Sequence, residues 1–320
     1  MEALRYASAV ASVPIILDCD PGHDDALAIV LALARPELQL LAITTVAGNA
    51  PLDRTTRNAL RVLTLLGRSD VPVAAGADHP ILRDPWVPVE FHGDSGLDGA
   101  DLPEPAVGPV ELTAVELMSA LLRGAAEPVT LVATGPLTNV ALLLRSAPGL
   151  HDRIAAISLM GGSLGAGNTT AAAEFNIWAD PDAAAIVFES GIPIRMSGLD
   201  VTHQGLVLPA DIARLEGLGT RPGRVFADLM RFFAIHHRER YGWDGTPIHD
   251  AVAVAWLAAP DLVVSRPLRI DVETAGVHSR GRTVADEEGL SGRPVNADVG
   301  VSIDRERLIE MVVDAVGRFA

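Results

Sequence analysis

The chain has 320 residues, 49% of them apolar, with a formal charge of −16 and a single cysteine. That charge argues against a nucleic-acid or anionic-membrane surface, and one cysteine excludes an intrachain disulfide. All 25 basic residues are Arg, which excludes Schiff-base lysine chemistry and the phosphate-loop lysine.

Residues 1–12 (MEALRYASAVAS) hold too short an apolar stretch for a secretory signal and are expected to form a flexible N-terminal extension. No apolar run reaches the length of a transmembrane helix, so a cytoplasmic protein is expected. Beyond residue 12, short β-branched runs alternate with longer Ala/Leu-rich helical patterns. Strands are predicted near 13–19, 38–45, 128–133, 153–159 and 193–196, and helices near 24–34, 53–66, 112–123, 137–146 and 180–189. This repeat implies right-handed crossovers and an α/β fold with a mostly parallel sheet covered on both faces. Residues 76–109, with many Pro, Gly and Asp, read as a long surface excursion. A helical period runs through 221–242, and HDAVAVAWLAAP begins another helix. After Pro260 come predicted strands near 262–273, 277–285 and 295–301 and a terminal helix near 304–318. With no linker, repeat or low-complexity tract, a single domain over 1–320 is expected.

Ligands of open parallel sheets bind beyond the carboxyl ends of the strands. After the first predicted strand, LDCDPGHDDA crowds Asp18, Asp20, Asp24 and Asp25 into eight positions. Asp18 and Asp20, two apart on a strand, share a face. Pro21-Gly22 turns the chain, and Asp24 and Asp25 open a helix whose positive end favours carboxylates. Like charges this close must take up protons or surround a cation, and an oxygen-only set suits Ca²⁺ or Mg²⁺. The plainer alternative makes Asp24 a helix cap and Asp18 a hydrogen-bonded core carboxylate. Cys19, between two aspartates, reads as a quiet buried thiol.

The second strand leads to TTVAGN and Asn49, the third to ATGPLTN and Thr134. The fourth leads into a long loop carrying Asn168, Glu174 and Asn176, where Glu174 and Asn176 in an extended segment would point the same way. Amides beside an acceptor suit a polyhydroxylated ligand such as a sugar, although each alone is an ordinary loop residue. IHDAVAVAW places His249 and Asp250 at a helix start. Asp250 either caps that helix or completes a metal sphere, and His249 is a loop residue or a proton donor to a leaving group.

Together these segments resemble the inosine–uridine nucleoside hydrolase family. The resemblance runs through DCDPGHDDA, ITTVAGN, FHGDSGLDG, LVATGPLTN, LMGG, AEFNIWADPDAA, GLDVTH, PIHDAVAV and GRTVAD, in the family's order, from about residue 13 to the end. It implies a mixed α/β sheet with a Rossmann-like core and a Ca²⁺-dependent enzyme that hydrolyses the N-glycosidic bond of ribonucleosides to ribose and free base. It further implies that Asp20, Asp25 and Asp250 bind calcium through carboxylates and Thr134 through its backbone carbonyl. Asp20 would be general base toward water. Asp24, Asn168, Glu174 and Asn176 would hold the ribose hydroxyls, with Asn49 supporting the water and ribose side. His249, or His92 in the FHGDSG loop, would protonate or polarise the departing base.

His249 stands where purine-selective relatives carry Trp, pointing to pyrimidine-accepting or broad specificity. His237 and Tyr241, four apart on one helical face, fall where pyrimidine-preferring relatives present a polar residue and a tyrosine to the base. The family also implies nucleoside salvage or catabolism and a homodimer or homotetramer. Three other readings compete. GGSLG (161–165) matches a serine-hydrolase elbow with Ser163 as nucleophile, but no helix is predicted directly after it. An aspartyl-phosphate phosphatase would want the missing lysine. A non-catalytic ribose or calcium sensor would need neither Asp20 as base nor His249 as acid.

Overall fold

A computed structural model describes residues 12–86 and 92–319; of the expected N-terminal extension, residues 1–11 lie outside them. The apolar runs become strands because they are buried on both faces. In β1 (Val13–Cys19), Ile15, Leu17 and Cys19 enter one core while Ile16 enters the other. The same holds around it for β2 (Leu38–Thr45), β4 (Val129–Ala133) and β5 (Ile154–Met160), while Ile194 and Met196 of β6 (Ile194–Ser197) both enter the second core. With β3 (Val73–Ala75), β9 (Val263–Val272), β10 (Thr283–Asp286) and β11 (Ala297–Ile303) they form one sheet of order β10-β9-β11-β6-β5-β4-β1-β2-β3. Pairings from β3 across to β11 are parallel; β9 joins β11, and β10 joins β9, antiparallel. A mixed, mostly parallel sheet is thus what the alternating pattern produces. A separate two-stranded ribbon pairs β7 (Leu206–Val207) with β8 (Thr246–Pro247).

Helices cover both faces. His23–Ala34, Leu52–Leu65, Arg221–Tyr241, His249–Ala258 and Arg305–Gly317 pack into one core, and Ala114–Gly124, Thr138–Ser146 and Pro181–Phe188 into the other. His23–Ala34 and His249–Ala258 lie buried along nearly their whole length and contact each other, which explains their almost unbroken Ala, Val and Leu. Among the described residues no helix is long and apolar enough to cross a membrane.

Two expectations change. The strand predicted over 277–285 begins only at Thr283. Residues 277–281 instead make a turn, closed by the Gly281 amide on the Glu273 carbonyl at 2.7 Å with Gly281 at φ +80°, a conformation that suits glycine. The excursion over 76–109 is not purely a surface feature, because Leu97 and Leu102 are buried in the first core.

Candidate active site

β1 is flanked by β2 on one side and β4 on the other, so the chain leaves its centre in opposite directions and opens a crevice at the strands' carboxyl ends. A cavity of about 410 Å³ lies there, lined at one end by Asp24, Asn49, Thr134, Asn176 and Asp250 and elsewhere by Phe233, His237, His249 and His92. The Thr134 amide donates to the Asp18 carbonyl at 2.8 Å, fastening the two strand ends together.

The acidic end is built from the turn after β1. Asp18 stays in the core: its Oδ1 accepts from Thr44 Oγ1 (2.6 Å) and Asn139 Nδ2 (2.8 Å), while burial raises its pKa to about 7. Asp20 Oδ2 accepts from the Asn49 amide at 2.7 Å, but Oδ1 is buried with no hydrogen-bond partner among the described residues. Gly48 and Gly135 press on this carboxylate so closely that a Cβ on either would collide with it, at 2.6 Å from Oδ1 in the case of Gly135. Asp25 closes a capping box on the Gly22 amide (3.0 Å) and accepts from Thr134 Oγ1 (2.8 Å) and Asn49 Nδ2 (3.2 Å). Oxygens of Asp24, Asp25 and Asp250 lie within 4.8 Å of one another, all three residues buried.

Burial first, then mutual repulsion, pushes Asp24 up to about 7 and Asp20 and Asp250 well above the ordinary carboxylate range; burial also raises Asp25. Such a group must bind protons or a cation. Its donors are all hard oxygens and one of them is unpartnered, which fits a divalent ion of the Ca²⁺ or Mg²⁺ type.

The neighbouring wall is amide-rich. Glu174 caps Phe175–Ala179, taking the amides of Asn176 (2.9 Å) and Ile177 (3.2 Å) and also that of Gly162 (2.8 Å). Burial nevertheless raises its pKa to about 7. Asn176 spends its Nδ2 on the carbonyls of Thr134 (2.8 Å) and Met160 (3.1 Å), which leaves Oδ1 to face the cavity as an acceptor. Asn168 Oδ1 accepts from the Phe175 amide at 3.0 Å, and Arg240 bonds the Asn168 carbonyl at 3.0 Å, tying the loop to helix Arg221–Tyr241.

His23, His92 and His249 are neutral at pH 7, each pulled down chiefly by burial. His23 Nε2 lies 2.9 Å from the Asp98 carbonyl and so carries its proton there. His92 Nδ1 lies 3.0 Å from His23 Nδ1 and accepts the His23 amide at 3.4 Å. At His249, Nδ1 lies 2.8 Å from the buried hydroxyl of Thr202. If the hydroxyl only accepted, its own proton would be stranded, so Thr202 donates and His249 carries Nε2–H.

A crevice at the sheet's switch point, an oxygen-only acid cluster and an amide wall form a site for an ion and a hydroxylated ligand. The family model for inosine–uridine preferring nucleoside hydrolases matches residues 15–310. The chain belongs to the inosine–uridine preferring nucleoside hydrolase family. It is accordingly an enzyme, a nucleoside hydrolase acting on N-glycosidic bonds. Similar curated hydrolases include the pyrimidine-specific ribonucleoside hydrolase RihA of Enterobacter sp., 51% identical over 97% of this chain and 99% of that one. RihA of Salmonella arizonae is 53% identical over 95% and 98% of the two chains. Among solved structures, a purine-preferring ribonucleoside hydrolase from Gardnerella vaginalis superposes with a TM-score of 0.90 at 35% identity, covering 96% of this chain and 98% of the other.

In this nucleoside hydrolase, Asp24, Asn49, His92, Thr134, Asn168, Glu174, Asn176, His237, His249 and Asp250 line the cavity. Asp20 and Asp25 stand behind its wall, joined to Asn49 and Thr134. Tyr241 does not line it: the ring is exposed and stacks on Trp243 at 4.8 Å. Glu174 and Asn176 are not on an extended segment but at the cap and first turn of a short helix, because the Glu174 carboxylate gathers amides that the helix start leaves open. Ser163 is buried, its hydroxyl on the Gly165 carbonyl and its amide on Thr283, with no helix directly following, so it is no elbow nucleophile. Sequence reasoning missed Trp86, Met160, Phe233 and His236 on the cavity wall, and His23 and Thr202 behind it. Phe233, four residues before His237, was accessible from helical spacing; Trp86 sits in a stretch without periodicity.

Proposed function

We propose that this nucleoside hydrolase is a calcium-dependent ribonucleoside hydrolase with a preference for pyrimidine nucleosides such as uridine, working as a single domain over 1–320. The reading rests on the buried cluster of Asp24, Asp25 and Asp250 beside Asp20, whose Oδ1 lacks a partner among the described residues. The Thr134 carbonyl, with a lone pair left after Asn176, joins Asp20, Asp25 and Asp250 as a ligand. A Ca²⁺ ion held there would acidify water and draw in the oxygens of a vicinal diol.

The chain's own residues then do the following. Asp24, Asn168, Glu174 and Asn176 hold the ribose hydroxyls, and Asn49 braces Asp20. Asp20 accepts the proton of the attacking water while the water oxygen bonds to C1′. The C1′–N bond breaks and its electron pair leaves with the base. Positive charge on the ribose ring is favoured by the surrounding carboxylate and amide oxygens, which are oriented before reaction begins. His249 Nε2–H donates a hydrogen bond to the departing base, which a proton from solvent neutralises. His92, on the same wall of the cavity, is the alternative group for that role. Pyrimidine preference is supported by the named specificity of relatives at about half identity over nearly the whole chain.

The test is turnover of uridine, cytidine, inosine and adenosine followed by release of free base. Uridine or cytidine should be cleaved fastest, activity should vanish after exhaustive chelation, and Ca²⁺ should restore it. Faster cleavage of inosine would overturn the preference, and unchanged turnover in chelator would overturn the metal.

A further inference from the structure

His23 opens the buried helix His23–Ala34 directly before Asp24 and Asp25, yet it is fully buried and does not line the cavity. Its ring lies flat against Phe232 (5.3 Å, 6°) and Phe233 (5.1 Å, 8°), a place that an apolar side chain would fill at no polar cost. Buried ring nitrogens must instead find partners, and here both go to the turn over 92–98. Nδ1 lies 3.0 Å from His92 Nδ1, and Nε2 lies 2.9 Å from the Asp98 carbonyl. The turn closes where the Asp98 amide meets the His92 carbonyl at 3.3 Å, so His23 holds its two ends together. Two further ties fasten the turn to the aspartate segment. The His23 amide reaches His92 Nδ1 at 3.4 Å, and Asn58 Nδ2 donates to the carbonyls of Pro21 (3.1 Å) and Ser95 (2.8 Å). Gly22 packs so closely here that a Cβ on it would lie 2.6 Å from His92 Nδ1. Among the described residues the hydrogen bonds of the His92 ring all go to His23, which leaves Nε2, on the far edge of the ring, for the cavity that His92 lines.

We propose that His23 is a positioning residue for His92, pinning one edge of that ring to the aspartate turn so that the other edge is presented to the departing base. This deepens the ribonucleoside hydrolase reading above and rests on its placing of His92 at the base. The same contacts join the two ends of the cavity: the Gly22 backbone that supports His92 also gives its amide to the Asp25 carboxylate at 3.0 Å. His23 reaches no ligand, so its whole effect on turnover passes through His92.

The experiment compares His23→Phe, which keeps a stacked ring but removes both ring nitrogens, with His92→Ala and the double variant on the calcium-loaded enzyme. His23→Phe should lower kcat on uridine about tenfold with KM within about twofold, and leave turnover of a nitrophenyl riboside within about twofold, because a misplaced group costs only the step it serves. In the His92→Ala background the same substitution should cost less than about twofold, since residues that act through one another are not additive. Equal losses on both substrates, or full additivity in the double variant, would make His23 a packing residue and overturn the proposal. Nitrogen NMR of the wild-type protein with isotope-labelled histidine supplies a readout apart from turnover, with the His92 signals assigned by their loss in His92→Ala. A coupling between the two Nδ1 nuclei across their hydrogen bond is expected, and its absence overturns the proposal as well. That measurement decides if His23→Phe does not fold. Should His92→Ala cleave uridine as fast as the wild type, the role of His92 at the base falls, and the coupling alone then decides whether His23 holds the ring.

Discussion

The two ends of the cavity are made in different ways. The acidic end is assembled from a strand end, a glycine turn and a helix start within a few residues, completed by Asp250 and Thr134 from the adjoining elements. Its side chains are buried, and Asp20 and Asp25 are bonded to backbone amides. The histidine and aromatic end comes from helix Arg221–Tyr241 and the excursion after β3, with rings held by one another and by single backbone carbonyls. One end is rigid because its charge demands it. The other is adjustable, since exchanging a ring there breaks a single bond rather than a charge network. The same acidic end can therefore be combined with different histidine and aromatic ends.

Removing the unpartnered carboxylate should have the largest effect. Asp20→Asn is expected to lower kcat by about 10³-fold or more while the protein still folds, as seen by circular dichroism, since general-base steps contribute about 10²–10⁴. A loss below tenfold would mean that the acidic end is a binding device only. His249→Ala should cost about 10²-fold on uridine but only a few-fold on a nitrophenyl riboside, whose leaving group needs no hydrogen bond. Equal losses on both substrates would assign His249 to the ribose side. Thr202→Val, which frees the His249 tautomer, should lower kcat several-fold with KM little changed; a change in KM alone would make Thr202 a packing residue.

The smallest effect concerns stability. In metal-free protein, Asp18 and Asp24 titrate at about 7, against about 3.9 in an unfolded chain. Between those values the folded state holds protons that the unfolded chain has released, so stability falls as pH rises from about 4 through 7. The melting temperature after chelation should therefore drop by several degrees between pH 5 and pH 8, and Ca²⁺ should flatten that slope. A chelated protein with no such decline would show that the acids are not protonated as burial requires.

What could be read in advance follows the same division. The Asp20, Asp24 and Asp25 grouping was legible because strand period, turn and helix start are local rules acting within eight residues. The order of most alternating elements was legible for the same reason, with ends within a residue or two, although the three-residue parallel strand β3 was missed. Glu174 and Asn176 deceived by their spacing of two, since capping a short helix overrides the extended pattern. Tyr241 shares a face with His237, yet Gly242 at φ +70° ends the helix there and Trp243 packs on the tyrosine ring outside the cavity. His23 and Thr202 left no signal because each acts only through another histidine, and no motif or period marks such a partner.

The acid cluster also joins distant parts of the polypeptide: Asp25 near its start and Asp250 in its last quarter. An ion bridging them would act as a clasp, so that peeling away the C-terminal segments would require the cation to leave first. Loaded protein should on this account resist protease digestion far longer than its melting temperature alone suggests, making calcium supply a control on lifetime as well as on turnover.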